Sequence, residues 1–312
     1  MRIYIFDPIH QTPLEEAYKA GDVIIWNEDG IKEYEDAEAI IVRTKTVSKE
    51  LIDEMPNLKI IAKHGIGTDN IDLDYAKEKG IFVTNTPTAN MNSVAELAVT
   101  LALSCARKIT MSDRLTRQGI DTLAPKELTG IELTGKIVGL IGAGRIGQRI
   151  GTILRDGFGM EVSCFDPFMS EKKANEFGFK KYDNLLDMLK DVDVVSISVP
   201  LTDSTINLID EEELGVMKES SILVNTARGR IVNEKALYKA LSNNPKMYAA
   251  MDVFEVEPPK ADNPLLSLDN FIGTPHIGAA TEEALIRMGN TAVEEINLVS
   301  TGLKPRYIVN QL

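Results

Sequence analysis

The chain has 312 residues, 44% apolar and 26% charged, with a formal net charge of −13. That length and balance suit a soluble protein of two ordinary domains and exclude a disordered chain. The negative charge argues against nucleic acid as a partner, and no apolar run approaches the roughly 20 residues that span a bilayer, so no membrane is expected either.

Short β-branched runs alternate with helical patterns, the signature of a parallel sheet covered by helices. The N-terminus reads as a strand, Arg2 to Asp7, and not as a secretion signal. Further strands are predicted at Asp22 to Trp26, Ala37 to Arg43, Lys59 to Ala62 and Phe82 to Thr84, with helices such as Leu51 to Met55 and Leu73 to Lys79 between them. A long apolar helix, about Ser93 to Ile109, follows with no internal Gly or Pro. Thr116 to Thr134 breaks the pattern at Gly119, Pro125 and Gly130. Alternation resumes at Lys136 and continues with strands at Glu161 to Phe165, Val194 to Val199, Ser221 to Thr226, Tyr248 to Val253 and Phe271 to Thr274. These make a second doubly wound unit, and a C-terminal helix, about Thr281 to Ser300, is free to cross back to the first. Cys105 and Cys164 each lie in an apolar run; two reduced, buried thiols fit a cytoplasmic protein and leave no disulfide framework.

The strand Lys136 to Ile141 runs into Gly142-Ala143-Gly144-Arg145-Ile146-Gly147, and a helix is predicted next. The first glycine permits a tight turn, the second lets the backbone approach a pyrophosphate, and the third lets helix and strand pack closely. Amides at the helix start, helped by its dipole, hold phosphates. Such a loop alone is weak evidence. Here a second strand, Glu161 to Phe165, ends at Asp166, about 20 residues on, where the dinucleotide fingerprint expects an acid for the ribose hydroxyls. Asp166 would repel a 2′-phosphate, and no arginine follows in Pro167-Phe168-Met169. NAD is therefore expected over NADP.

Hydride chemistry at a carbonyl needs a cation for the acid's carboxylate, a group that handles the hydroxyl proton, and a neighbour that tunes that group. Three histidines exist: His10, His64 and His276. His276 ends a strand of the second unit, where open α/β sheets bind their ligands. Arg228 and Glu257 also directly follow strands. Each has an ordinary alternative as a loop or surface residue; together on one sheet edge they point to chemistry. No His, Cys and carboxylate spacing suggests a metal.

These stretches are similar to the D-isomer-specific 2-hydroxyacid dehydrogenase family, in particular its phosphoglycerate dehydrogenase and hydroxypyruvate reductase branch. The resemblance rests on Gly65-Ile66-Gly67-Thr68-Asp69-Asn70-Ile71-Asp72, Ser93-Val94-Ala95-Glu96-Leu97, the glycine loop, Asn225 to Val232, Asp252-Val253-Phe254 with Glu257-Pro258-Pro259, and Pro275-His276-Ile277-Gly278-Ala279. It covers nearly the whole chain in the family's order. It implies a dinucleotide-binding Rossmann domain, residues 98–283, inserted in a flavodoxin-like substrate domain, residues 1–97 plus 284–312. It also implies that His276 is the acid/base, that Glu257 orients the imidazole and favours its protonated form, and that Arg228 binds the substrate carboxylate. Cofactor contacts are implied at Ile66, Arg145, Ile146, Val199, Thr226, Ala227 and Gly278, with Asp252 on the nicotinamide side. Backbone amides of Gly65, Ile66 and Gly67 would grip the substrate carboxylate from the other domain. A homodimer is expected by the same resemblance.

The substrate implied is 3-phosphoglycerate with phosphohydroxypyruvate, or glycerate with hydroxypyruvate. Arg43-Thr44-Lys45 after a strand and Lys63-His64 beside the glycine-rich turn are the candidate extra cations, with Lys45 and His64 as expected substrate contacts. Thr116 to Thr129 offers only Arg117 and Lys126, which argues against a phosphate. Because the sequence ends at Leu312, the expected type is the short form without a regulatory domain. Two rivals use the same scaffold: a phosphite-type dehydrogenase, and a non-catalytic NAD-sensing protein like the corepressors that share this fold. A formate-type enzyme is disfavoured, because those replace the glutamate by glutamine.

Overall fold

The computed structural model describes residues 1–25, 34–120 and 126–312. Trp26, the expected end of the second strand, and Pro125, one of the expected breaks, lie outside the described residues. The chain divides into two units, Met1–Ser93 with Ala279–Leu312, and Val94–Gly278. Both are α/β with wholly parallel sheets, as the alternating pattern predicts.

The first unit contains β1 (Arg2–Ile5), α1 (Gln11–Ala20), β2 (Asp22–Ile25), β3 (Ala39–Val42), α2 (Lys49–Asp53), β4 (Ile60–Lys63), α3 (Leu73–Glu78) and β5 (Phe82–Thr84). Its sheet order is β2-β1-β3-β4-β5, so the winding reverses between β1 and β3. Side chains alternate across the pleat. Ile3, Ile5, Ile41, Ile60 and Ala62 face one core with Ala292, Val293 and Ile296 of the C-terminal helix, while Tyr4, Phe6, Ile40, Val42 and Ile61 face the other with Ile52 and Met55. Both faces are buried, which is why these strands read as continuous apolar runs. The helices start on side-chain caps: Ser48 accepts from Leu51 N and Asp72 from Tyr75 N.

In the second unit α4 (Met91–Ala106), α5 (Ile109–Gln118), β6 (Ile137–Ile141), α6 (Arg145–Phe158), β7 (Glu161–Phe165), α7 (Glu171–Glu176), β8 (Lys180–Tyr182), α8 (Leu185–Asp191), β9 (Val194–Ile197), α9 (Glu211–Val216), β10 (Ile222–Asn225), α10 (Glu234–Asn243), β11 (Tyr248–Met251) and β12 (Phe271–Gly273) follow in turn. The order β12-β11-β10-β9-β6-β7-β8 reverses between β6 and β9, next to the glycine loop. One core, with Leu140, Cys164 and Phe179, packs under α4 and α6; the other, with Ile141, Ile197 and Leu223, packs under α8, α9 and α10.

The helix expected from Ser93 to Ile109 is present as α4, which begins at Met91 and ends at Ala106. Lys108 adopts a left-handed conformation at φ 51°, and α5 starts afresh after it. The freed end of α4 is sealed by Ile131 N, which donates to Ala106 O at 2.8 Å. At the C-terminus α11 (Glu282–Ser300) carries the fully buried Glu295, which accepts from Arg306 N at 2.6 Å, Tyr307 N at 3.0 Å and Arg306 Nε at 2.9 Å. The turn so formed delivers Asn310 to β5, where it bonds Val83 N and Ile81 O and covers the open edge of the sheet. No helix of the described residues is long and apolar enough to cross a membrane.

Candidate active site

In the second unit the candidate site residues sit where parallel strands end. The glycine loop leaves β6 with Gly142 at φ 87°. A Cβ on Gly147 would stand 2.2 Å from Gly142 O, so the start of α6 can press onto the loop only as glycine. A Cβ on Gly144 would meet nothing within 4 Å, which leaves an open cradle beside that position. Gly144 is the N-cap of α6 and caps nothing with a side chain, so the first-turn amides remain for an anion. Arg145 is exposed and Ile146 half-buried on that first turn. Asp166 ends β7, its carboxylate accepting from Ala143 N at 2.9 Å and Phe168 N at 2.8 Å, and each oxygen keeps a lone pair. Val199, after β9, packs under Gly142. This arrangement fits a dinucleotide.

Along the same edge, β10, β11 and β12 carry the remaining residues. Buried Asn225 ends β10 and folds the next turn on itself, its Oδ1 accepting from Ala227 N and its Nδ2 donating to Arg228 O, with Thr226 half-buried between. Gly229 lies so close to Phe254 that a Cβ would fall 2.0 Å from its carbonyl carbon. That contact brings the Arg228 turn against the segment bearing Glu257. The Glu257 carboxylate accepts from Phe254 N at 3.1 Å through Oε1 and faces His276 Nδ1 at 2.7 Å through Oε2. Burial works to raise the Glu257 pKa, but the His276 contact, the Phe254 amide and the charge of Arg228 outweigh it and hold it below the ordinary carboxylate value. Glu257 is therefore ionised, Nδ1 carries a hydrogen towards it, and Nε2 is the ring atom left to exchange a proton. Asp252 ends β11 and is 1% exposed; its oxygens accept from Thr274 Oγ1, Ile277 N and Gly278 N.

A family model, D-isomer specific 2-hydroxyacid dehydrogenase, NAD binding domain, matches residues 99–278. The chain belongs to the D-isomer-specific 2-hydroxyacid dehydrogenase family. It is 41% identical to a hydroxypyruvate reductase of Thermotoga maritima, covering 95% of this chain and 97% of that protein. It is 40% identical to a D-3-phosphoglycerate dehydrogenase of Methanocaldococcus jannaschii, over 99% of this chain but 59% of that relative's length. A solved D-lactate dehydrogenase of Aquifex aeolicus, complexed with NAD and lactic acid, superimposes with a TM-score of 0.84 at 32% identity, covering 97% of this chain and 96% of that one. The cofactor of this family member is a nicotinamide dinucleotide.

The first unit also gathers polar residues at its carboxyl edge. After β1, Asp7 accepts from the amides of Arg43 at 2.6 Å, Thr44 at 3.1 Å and Lys45 at 3.2 Å, and from Thr44 Oγ1 at 2.5 Å. Burial opposes its charge, yet these donors keep its pKa below the usual range. Asp7 thus shapes the turn at the point where the winding reverses, a role sequence reading missed because strand order is invisible in a sequence. The half-buried Arg43 guanidinium from that turn has no hydrogen bond or ion pair among the described residues. Lys63 donates to Arg43 O and Asn70 Oδ1, and Asn70 Nδ2 to Lys45 O.

The glycine-rich turn follows β4. Thr86 N takes the Gly65 carbonyl at 2.9 Å and Asn85 Nδ2 the Ile66 carbonyl at 2.8 Å, which fixes the orientation of the Gly65-Ile66-Gly67 backbone. His64 is 1% exposed, and its Nε2 lies 3.2 Å from Leu285 O, so Nε2 carries the hydrogen. Burial first, and then the charge of Arg43, push its pKa down to about 4. It is a neutral histidine at working pH and supplies no cation. His10 caps α1, accepting from Thr12 N. Among the described residues no group of three or more His, Cys, Asp or Glu could hold a metal ion.

Proposed function

We propose that this protein is an NAD-dependent D-2-hydroxyacid dehydrogenase that interconverts a small 2-hydroxy acid and its 2-keto acid, with glycerate and hydroxypyruvate or 3-phosphoglycerate and phosphohydroxypyruvate as substrates. The reading is carried by the hydrogen-bonded pair of His276 and Glu257 at the carboxyl edge of the sheet that also bears the glycine loop. Gly142, Gly144, Gly147 and the first turn of α6 would hold the pyrophosphate, Asp166 the adenosine ribose, and Val199, Thr226, Ala227, Asp252 and Gly278 the remainder. Asp166 supports NAD over NADP, since a 2′-phosphate would meet its carboxylate. Nicotinamide, when bound, supplies the hydride acceptor or donor.

The chain's own residues would do the rest. Arg228 would bind the substrate carboxylate, a bidentate task that lysine performs poorly. In the oxidation direction His276 Nε2 takes the hydroxyl proton as the C2–H leaves with its electron pair; in reduction it returns that proton to the keto oxygen. Glu257 stabilises the imidazolium formed in between. In the first unit, Arg43, Lys45 and the amides of Gly65 to Gly67 are the proposed substrate contacts. His64 acts there as a neutral packing residue. The protein is expected to work in the cytoplasm as a homodimer, which sedimentation of the purified protein checks.

The deciding experiment offers purified protein NADH and a panel of hydroxypyruvate, phosphohydroxypyruvate, glyoxylate and pyruvate, following NADH absorbance. Consumption with at least one keto acid, abolished by His276→Ala with NADH affinity retained, is the expected result. Silence across the panel with intact NADH binding would favour an NAD-sensing protein.

A further inference from the structure

His276 is one of few non-glycine residues in this fold with a positive φ, 54°. That conformation is costly for a side chain with a Cβ and persists only where the surroundings over-determine it. The surroundings here centre on Asp252, with the Thr274 carbonyl also accepting from His276 N at 3.0 Å. His276 N donates to the Asp252 carbonyl at 2.8 Å. The Asp252 carboxylate accepts from the Thr274 hydroxyl at 2.6 Å on one side of the histidine, and from Ile277 N at 2.8 Å and Gly278 N at 2.7 Å on the other. Gly278 leaves room for this, since a Cβ there would stand 3.0 Å from Asp252 Oδ2. Asp252 is buried at the end of β11, and its charge is met by these three donors. Thr274 is anchored in turn, its amide donating to Met251 O at 2.9 Å.

We propose that Thr274 and Asp252 form a brace that positions His276 for proton transfer, with Thr274 as a positioning residue. The brace ties the chain on both sides of the histidine to a rigid strand end. Among the described residues the imidazole itself has one hydrogen-bond partner, Glu257. With the backbone clamped, Nδ1 meets the carboxylate in one orientation, and Nε2 is aimed without help from substrate. Loss of the Thr274 hydroxyl leaves the preceding side of the loop held by the Thr274 amide alone and no longer tied to the Asp252 carboxylate, and small misplacements of an acid/base group are expensive in rate. The inference rests on the reading of His276 as the proton-transfer group.

Thr274→Val keeps the volume and removes the donor. Measured on the full protein with NADH and the best keto acid of the panel, it should lower kcat by about tenfold or more while the Kd of NADH changes less than about twofold. The primary isotope effect with 4-deuterated NADH should rise as the chemical step becomes limiting, and Thr274→Ser should restore turnover. Should Thr274→Val fold poorly, Thr274→Cys, a weak donor of similar size, should fall between valine and serine. Wild-type turnover and isotope effect in Thr274→Val, with His276→Ala inactive, would overturn the brace alone. A fully active His276→Ala would instead overturn the acid/base reading beneath it.

Discussion

His276 Nδ1 and Glu257 Oε2 stand 2.7 Å apart, and the other oxygen of the carboxylate is held by the Phe254 amide. Because the Glu257 carboxyl is held below its ordinary pKa, it is ionised throughout the working range. Glu257→Gln therefore changes the pair at every working pH. The amide cannot stabilise an imidazolium as a carboxylate does, so kcat for keto-acid reduction should fall by about 10²-fold. The loss should appear across the whole pH profile of reduction, since the Glu257 carboxylate is ionised throughout it. A profile superimposable on that of the wild type would separate Glu257 from the chemistry.

Two glycines of the same loop should fail in different ways. Gly147→Ala places a methyl 2.2 Å from a backbone oxygen, so α6 must move off the loop at a cost of about 1–3 kcal/mol. Gly144→Ala meets no protein atom, so the melting temperature should stay within a few degrees while NADH binding weakens sharply. Thermal melts beside NADH titrations test both; equal destabilisation of the two variants would contradict the open cradle at Gly144.

Asp166→Ala should weaken NADH by about tenfold and narrow the gap to NADPH, because it removes the proposed ribose acceptor and the repulsion of a 2′-phosphate together. The substitution also frees Ala143 N within the glycine loop, which adds to the loss. An unchanged ratio of the two cofactors in competitive titration would remove Asp166 from the ribose site.

The parts of the fold legible in the sequence are those encoded locally. Buried strands announce themselves as apolar runs, and the glycine loop with Asp166 is a spacing set by one strand-turn-helix-strand unit. Three features were not legible because neighbours in space decide them. β8 is three residues, Lys180-Lys181-Tyr182, with too little apolar content to show as a strand. The break at Lys108 follows no Gly or Pro; it is stabilised by residue 131 sealing the end of α4. In the first unit His64 and Lys63 looked like candidate cations, yet burial neutralises the first and hydrogen bonds to Arg43 O and Asn70 engage the second. The candidate cations that remain among the described residues are Arg43 and Lys45.

Burial of His64 also has a thermodynamic signature. Its pKa falls from 6.5 to about 4 in the fold, so the unfolded chain binds the extra proton between those values. The stability that depends on neutral His64 is complete above pH 6.5 and is lost as pH falls towards 4, by an amount on the order of 3 kcal/mol. His64→Gln keeps a donor for Leu285 O and cannot titrate. Urea unfolding at pH 7 and pH 4.5 should show a smaller acid loss in the variant than in the wild type, and parallel losses would contradict a neutral buried imidazole.

Arg43 and Asp7 should act as one unit in substrate recognition. The Asp7 carboxylate fills the concavity made by three successive amides, so an anion approaching this turn meets the Arg43 side chain and not the backbone. Arg43→Gln should raise KM for the keto acid by about tenfold with a smaller change in kcat, and the rise should be larger for a phosphorylated substrate, whose added charge the guanidinium would meet. Asp7→Asn turns one oxygen into a donor facing donors, which loosens the turn and should reproduce the same KM pattern more weakly. Since the second change acts through the first residue, the double variant should be no worse than Arg43→Gln alone. Steady-state kinetics of the three variants decide the matter; additive losses would mean that Asp7 serves the substrate, or the stability of the unit, by some route that does not pass through Arg43.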